Sequence, residues 1–169
     1  MRKSVFLTTL GMLALLAPLY ATSVQRLSLD ELVSRSHSIV QGDILSSNTY
    51  RSADGKLILT SYTVQVEDTL KGSAAGTVMV TTIGGQIGNT VLHVSGMPVF
   101  QTGEKAVLFL EQTGKYTTVF GLNQGKFAVS NGQVSNSMAG LSFPGGGVPN
   151  VVRMPLDEFK RQVKLHLSR

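Results

Sequence analysis

Period constrains this chain more than any other feature. Between about residues 38 and 135, apolar residues recur at every second position in runs of strand length, and helical spacing is confined to the two ends. Tyr62 to Gly72 is the plainest run. Tyr62, Val64 and Val66 alternate with Thr63, Gln65 and Glu67, the pattern of a strand buried on one face. Upstream, Leu57, Ile58 and Leu59 break the alternation, as in a bent strand that buries both faces at one end. Val40, Gly42 and Ile44 share one face of an earlier strand; Ile39, Gln41, Asp43 and Leu45 share the other. Gly42 inside that strand predicts a bulge or sharp bend.

The other strands follow the same logic. Thr77 to Gly85, Thr90 to Ser95, Lys105 to Glu111 and Tyr116 to Leu122 are each short and rich in Val, Thr and aromatic residues. Lys126 to Ser135 carries Asn131-Gly132 at its centre, which predicts a hairpin with a type I′ turn. The stretch from Asn48 to Lys56 reads as a loop closed by Asp54-Gly55. Asn136 to Asn150 reads as a surface loop rich in Gly and Pro.

Helices are predicted at the ends. Ser28 and Glu31 form a capping box ahead of Leu29, Leu32 and Val33, giving a short helix from Leu29 to Ser36. Near the C-terminus Leu156, Phe159, Val163 and Leu167 stand at helical spacing. Pro155 suits the first turn, and Asp157 and Glu158 complement the positive helix N-terminus.

The first residues, Met1 to Ser23, read as a secretory signal. A basic start is followed by an apolar run from Val5 to Ala17 and then by small residues. Residues 1–21 are expected to be a signal peptide cleaved after Ala21, and 22–169 a single domain exported to the periplasm or beyond. The run is short of the roughly 20 residues a membrane span needs, so no stable insertion is expected after processing. The chain has no cysteine, so the domain must cohere through its core alone, without thiol chemistry. That suits a bacterial export route. The formal charge of +5 falls by two, to +3, without Arg2 and Lys3. Such a mild balance argues for a solvated surface and against a nucleic-acid partner.

The order of blocks resembles that of netrin-like domains, the group that includes the tissue inhibitors of metalloproteinases. The matching stretches are "SIVQGDILSS", "YTVQVEDTLKG", "GEKAVLFLE" and "YTTVFGLNQGKFAV". They contain an apolar strand with an internal glycine, a strand ending in Lys71-Gly72, and a Gly103-Glu104 turn into an apolar strand. The chain also resembles exported bacterial proteins that carry the same blocks. The resemblance covers about residues 37 to 129. It implies a mainly β protein: a five-stranded, OB-like closed barrel with a short N-terminal helix and a C-terminal amphipathic helix. Those inhibitors use an N-terminal cysteine at the zinc of their target, and this chain has none. Its expected mature start is Thr22, so the fold is carried over and the inhibitory wedge is not.

No catalytic constellation emerges. His37, His93 and His166 fall on three separate elements without metal-ligand spacing, and neither a metal nor a cofactor is expected. No G-x-S-x-G elbow occurs. The glycines at 84, 85 and 88 fit no phosphate loop. Two loops stand out as candidate binding elements. One carries Tyr50 and Arg51, where OB barrels commonly bind ligands. The other, Ile83 to Pro98, is long for a small barrel and holds Gln86, Asn89 and His93. Lys160, Arg161, Lys164 and Arg169 give the last helix a basic face, read as solvated. The expected function is that of a non-enzymatic exported binding domain. It would engage a protein partner, with an extracytoplasmic protease among the candidates, through loops at the barrel edge. A small-ligand or polysaccharide binder is the first alternative, and a hydrolase with an unrecognised site the second.

Overall fold

The structure, a computed structural model, describes residues 24–144 and 151–169. The expected signal segment and part of the Gly- and Pro-rich loop lie outside the described residues.

Among the described residues, helix α1 (Leu29–Arg35) leads into ten strands. They are β1 (Ser38–Arg51), β2 (Ile58–Lys71), β3 (Thr77–Ile83), β4 (Gly85–Ile87), β5 (Thr90–Leu92), β6 (Lys105–Thr113), β7 (Tyr116–Val119), β8 (Lys126–Ser130), β9 (Gln133–Asn136) and β10 (Arg153–Pro155). Helix α2 (Leu156–Leu167) follows. The chain is mainly β, with a short helix before the strands and a longer one after them, as the sequence predicts.

The predicted closed barrel of five strands is corrected. Eight strands join one sheet in the order β10-β9-β8-β6-β1-β2-β3, and β7 also pairs with β6. β4 and β5 form a separate two-stranded ribbon. Every pairing is antiparallel. The sheet curls far enough to bring β3 against β7, yet no ladder joins them, so the curl stays open. β7 has only four residues, and the β6 edge it occupies is shared with β8.

The curl has a core on each face. Inside lie Val40, Ile44, Tyr62, Val64, Val80, Phe100, Leu108 and Val119. Outside, Ile39, Leu70, Val107, Phe109, Phe127 and Val134 meet Leu32 and Val33 of α1 and Phe159 and Val163 of α2. The predicted alternation of β1 and β6 therefore feeds two apolar layers rather than one.

β2 departs from regular pairing twice along β1, skipping Leu70 and Glu67. The second irregularity lies beside Gly42, as its glycine predicts. A third, at Leu45 in β1, shifts the register between Ile44 and Ser46. Such irregularities bend strands and raise their twist, which is how one pair of 14-residue strands serves a curled sheet.

The capping box holds as predicted. Glu31 N–H donates to Ser28 Oγ at 3.2 Å, and Ser28 N–H donates to Glu31 Oε2 at 2.8 Å. That backbone N–H of Ser28 is the main reason the Glu31 carboxyl titrates below its ordinary value. The other end of α1 is closed from afar. Lys71 Nζ donates to the carbonyls of Val33 at 2.7 Å, Ser34 at 3.0 Å and Ser36 at 2.6 Å. The Lys-Gly end of β2 therefore fastens α1 to the sheet: a cation meets the negative end of the helix, and Gly72, at φ 85°, turns the chain away. Lys71→Met keeps the stem and removes the charge. It is expected to lower stability by about 2 kcal/mol, the scale of hydrogen bonds to a charged group, measured by urea unfolding.

Asn131 and Gly132 both have positive φ, 51° and 71°, as a type I′ turn requires. Pro155 is the N-cap of α2 and ends β10, one residue earlier than predicted.

Candidate functional site

Sequence places Tyr50 and Arg51 in a loop; the structure places both in β1. The hairpin of β1 and β2 continues in register to Arg51↔Ile58. Successive strand residues point to opposite faces, so Tyr50 and Arg51 do not form a side-by-side stacking pair. The Tyr50 hydroxyl is engaged, 3.0 Å from Ser61 Oγ, which in turn lies 2.9 Å from Thr81 Oγ1. Arg51 is exposed.

The long connection after β3 is structured too. Gly84 N–H donates to the Ile58 carbonyl at 2.8 Å. Thr60 Oγ1 donates to the Gly84 carbonyl at 2.7 Å and shares a 3.0 Å hydrogen bond with Thr49 Oγ1. Gly84 and Gly85 adopt φ of 126° and 132°. A Cβ on Gly85 would stand 2.6 Å from Thr60 Oγ1 and 2.7 Å from Thr49 Cγ2. Glycine is thus required on two counts: backbone angle and close approach. The segment read from sequence as a long loop is thus an ordered ribbon. The β4–β5 ribbon is seated on the far end of the β1–β2 hairpin, so the two candidate elements share one end of the molecule.

Gln86, Asn89 and His93 are all exposed there. Gln86 Nε2 donates to the Gly88 carbonyl at 2.9 Å, bracing the turn. Val91, the cross-strand partner of Gln86, is 64% exposed. Nothing in the sequence marks it, because a valine in a short strand reads as core. The end thus presents an apolar side chain among polar and cationic ones, on a backbone held by hydrogen bonds.

Elsewhere several ionisable groups are paired with one another. Lys105 Nζ is paired with Glu67 and lies 3.4 Å from Asp43 Oδ2, while Gln41 Nε2 donates to Glu67 Oε2 at 2.8 Å. The Lys105 hydrogen bond, then that from Gln41, holds the Glu67 carboxyl below its ordinary value, and Glu67 in turn raises Lys105. Both stay charged at neutral pH, so neither is poised to carry a proton in a reaction. Gln41 Oε1 is buried with no donor among the described residues. The histidines stay apart in role: His166 Nδ1 lies 2.9 Å from Asp30 Oδ1, linking α2 to α1, while His37 and His93 are exposed. Among the described residues no three His, Cys, Asp or Glu side chains gather in a metal-binding arrangement. On the basic face of α2, Lys160 pairs with Asp68 and Arg161 with Glu158. No helix among the described residues is long and apolar enough to cross a membrane.

Fold and site together define a mainly β protein, a curled open sheet clasped by two helices with an ordered display at one end. No family model, curated protein or solved structure matches the chain.

Proposed function

We propose that this chain is an exported, non-enzymatic binding domain that takes a protein partner at the end built by the β1–β2 hairpin and the β4–β5 ribbon. The seating of the ribbon carries this reading. Gly85 packed on Thr49 and Thr60 holds exposed Val91, Gln86, Asn89 and His93 in fixed relation to one another, and a preorganised surface gives up little ordering entropy on association. Val91 supplies the apolar anchor, and the polar residues around it supply a rim. Export is supported by the basic and apolar pattern of the first residues together with the lack of cysteine. Kinship with netrin-like domains is carried by the sequence blocks, and a protease partner follows from that kinship alone.

The test is retrieval of a partner from the native exported fraction by the wild-type chain and by Val91→Glu. A charge at the anchor is expected to weaken capture by about 2 kcal/mol, roughly thirtyfold. Equal capture by the two proteins, or no partner at micromolar chain, would remove this reading.

A further inference from the structure

The end that carries Val91 also has a charge pattern of its own. Arg51, Asp54 and Lys56 are the charged residues between Ile44 and Val66, and the segment from Ile83 to Pro98 contains no Asp, Glu, Lys or Arg. Asp54 is occupied within its own turn, where its carboxylate accepts from Ser52 Oγ at 2.5 Å and from Lys56 N–H at 3.2 Å. Arg51 and Lys56 are exposed and make no ion pair among the described residues. In this they differ from Lys105, Lys126, Lys160 and Arg161, each of which meets a carboxylate.

The fold sets the Arg51 cation beside the apolar anchor. Arg51 stands two residues beyond Thr49 in β1, so both point to one face, the face on which Gly85 is seated. On the ribbon, Gly85 pairs with Leu92 and Gln86 with Val91. Stepping through Thr49, Gly85 and Leu92, the Cα atoms of Arg51 and Val91 are at most roughly 23 Å apart, the span of about seven extended residues. Two cations without counter-charges, on a backbone held by hydrogen bonds, favour a surface rich in carboxylates and repel a basic one. A nucleic acid calls for a wider basic face than two side chains supply, and it has no use for an exposed valine.

We propose, on the reading of this end as a partner-binding surface, that the partner presents an acidic, extended segment: its carboxylates meet Arg51 and Lys56, and an apolar side chain of the same segment rests on Val91.

The test is an NMR titration of the isotope-labelled full chain with an N-acetylated, C-amidated Leu-Ser-Thr-Ser-Glu-Asp-Glu peptide. Saturable shifts are expected at the Arg51 Nε–H and the Val91 methyl signals. Arg51→Glu combined with Lys56→Glu, both at exposed positions outside the cores, should weaken binding by at least about tenfold. Raising NaCl from about 0.05 M to about 0.5 M should weaken it about fivefold, because exposed charges are screened. The proposal is overturned if those signals show no saturable shift, or if the double variant binds as wild type does. It is also overturned if Leu-Ser-Thr-Ser-Lys-Arg-Lys or a thymidine oligonucleotide moves the signals equally. Capture from the native exported fraction separates this proposal from the reading beneath it. Capture lost with Val91→Glu but kept by the double variant overturns the acidic partner and leaves the binding end standing, whereas capture that is indifferent to Val91→Glu removes the end itself.

Discussion

Replacing Phe159 with alanine is expected to lower folding free energy by about 3–5 kcal/mol, the cost of deleting a fully buried aromatic ring. Phe159 is fully buried, with ring centroids 4.6 Å from Phe127 and 6.2 Å from Phe109. It is the point at which α2 enters the outer core. Burial of such a side chain contributes about 1.5–3 kcal/mol, and the cavity left among two other rings adds the rest, because neither strand can collapse toward a helix held at both ends. Lys160 on Asp68 and His166 on Asp30 provide that hold. The expected fall in melting temperature is about 10–15 °C, read by thermal and urea unfolding. Leu165→Ala, on the exposed side of the same helix at 50% exposure, should change stability by less than about 0.5 kcal/mol. Equal effects of the two substitutions would mean that α2 does not pack through Phe159.

Gly42→Val should be at least as damaging. Gly42 lies in β1, between β2 and β6, opposite Val66 on one side and Ala106 on the other. A Cβ there would overlap the Gln65 carbonyl oxygen and stand 3.0 Å from Val64 Cγ1. The obstacle is backbone in a neighbouring strand, so no side-chain rotation relieves it. The two strands would have to part at the centre of the sheet. Gly42→Ala is expected to cost about 2–3 kcal/mol, and Gly42→Val more than about 4 kcal/mol. In practice the valine variant should show little cooperative unfolding and low soluble yield. A Gly42→Val protein with a urea midpoint close to wild type would contradict the placement of β1 against β2.

What could be read from sequence was whatever depends on neighbours along the chain. The Ser28–Glu31 box, the Asn131-Gly132 turn and the Phe159–Val163 stripe each carry their cause within a few residues, and each is found where expected. Closure of the sheet could not be read that way, because it depends on whether β3 and β7, more than thirty residues apart, exchange hydrogen bonds. The tip of β1 was misread because Ser46 to Arg51 extends beyond the apolar cores, where a strand needs no alternation. β4 and β10 are three residues each, too short to show a period. The role of Lys71 has no local signature at all: its three carbonyl partners are 35 to 38 positions away. Of the site, Gln86, Asn89 and His93 were singled out from sequence, while Val91 and the seating on Thr49 and Thr60 required the fold.

The end of the molecule built by the β1–β2 hairpin and the β4–β5 ribbon is the one proposed to meet another protein. A photo-reactive side chain placed at position 91, and separately at position 164 on the exposed side of α2, tests this in the native exported fraction. A discrete adduct is expected from position 91 that wild-type protein competes away and Val91→Glu protein does not, with none from position 164. An adduct from position 164 with nothing at 91 would contradict it.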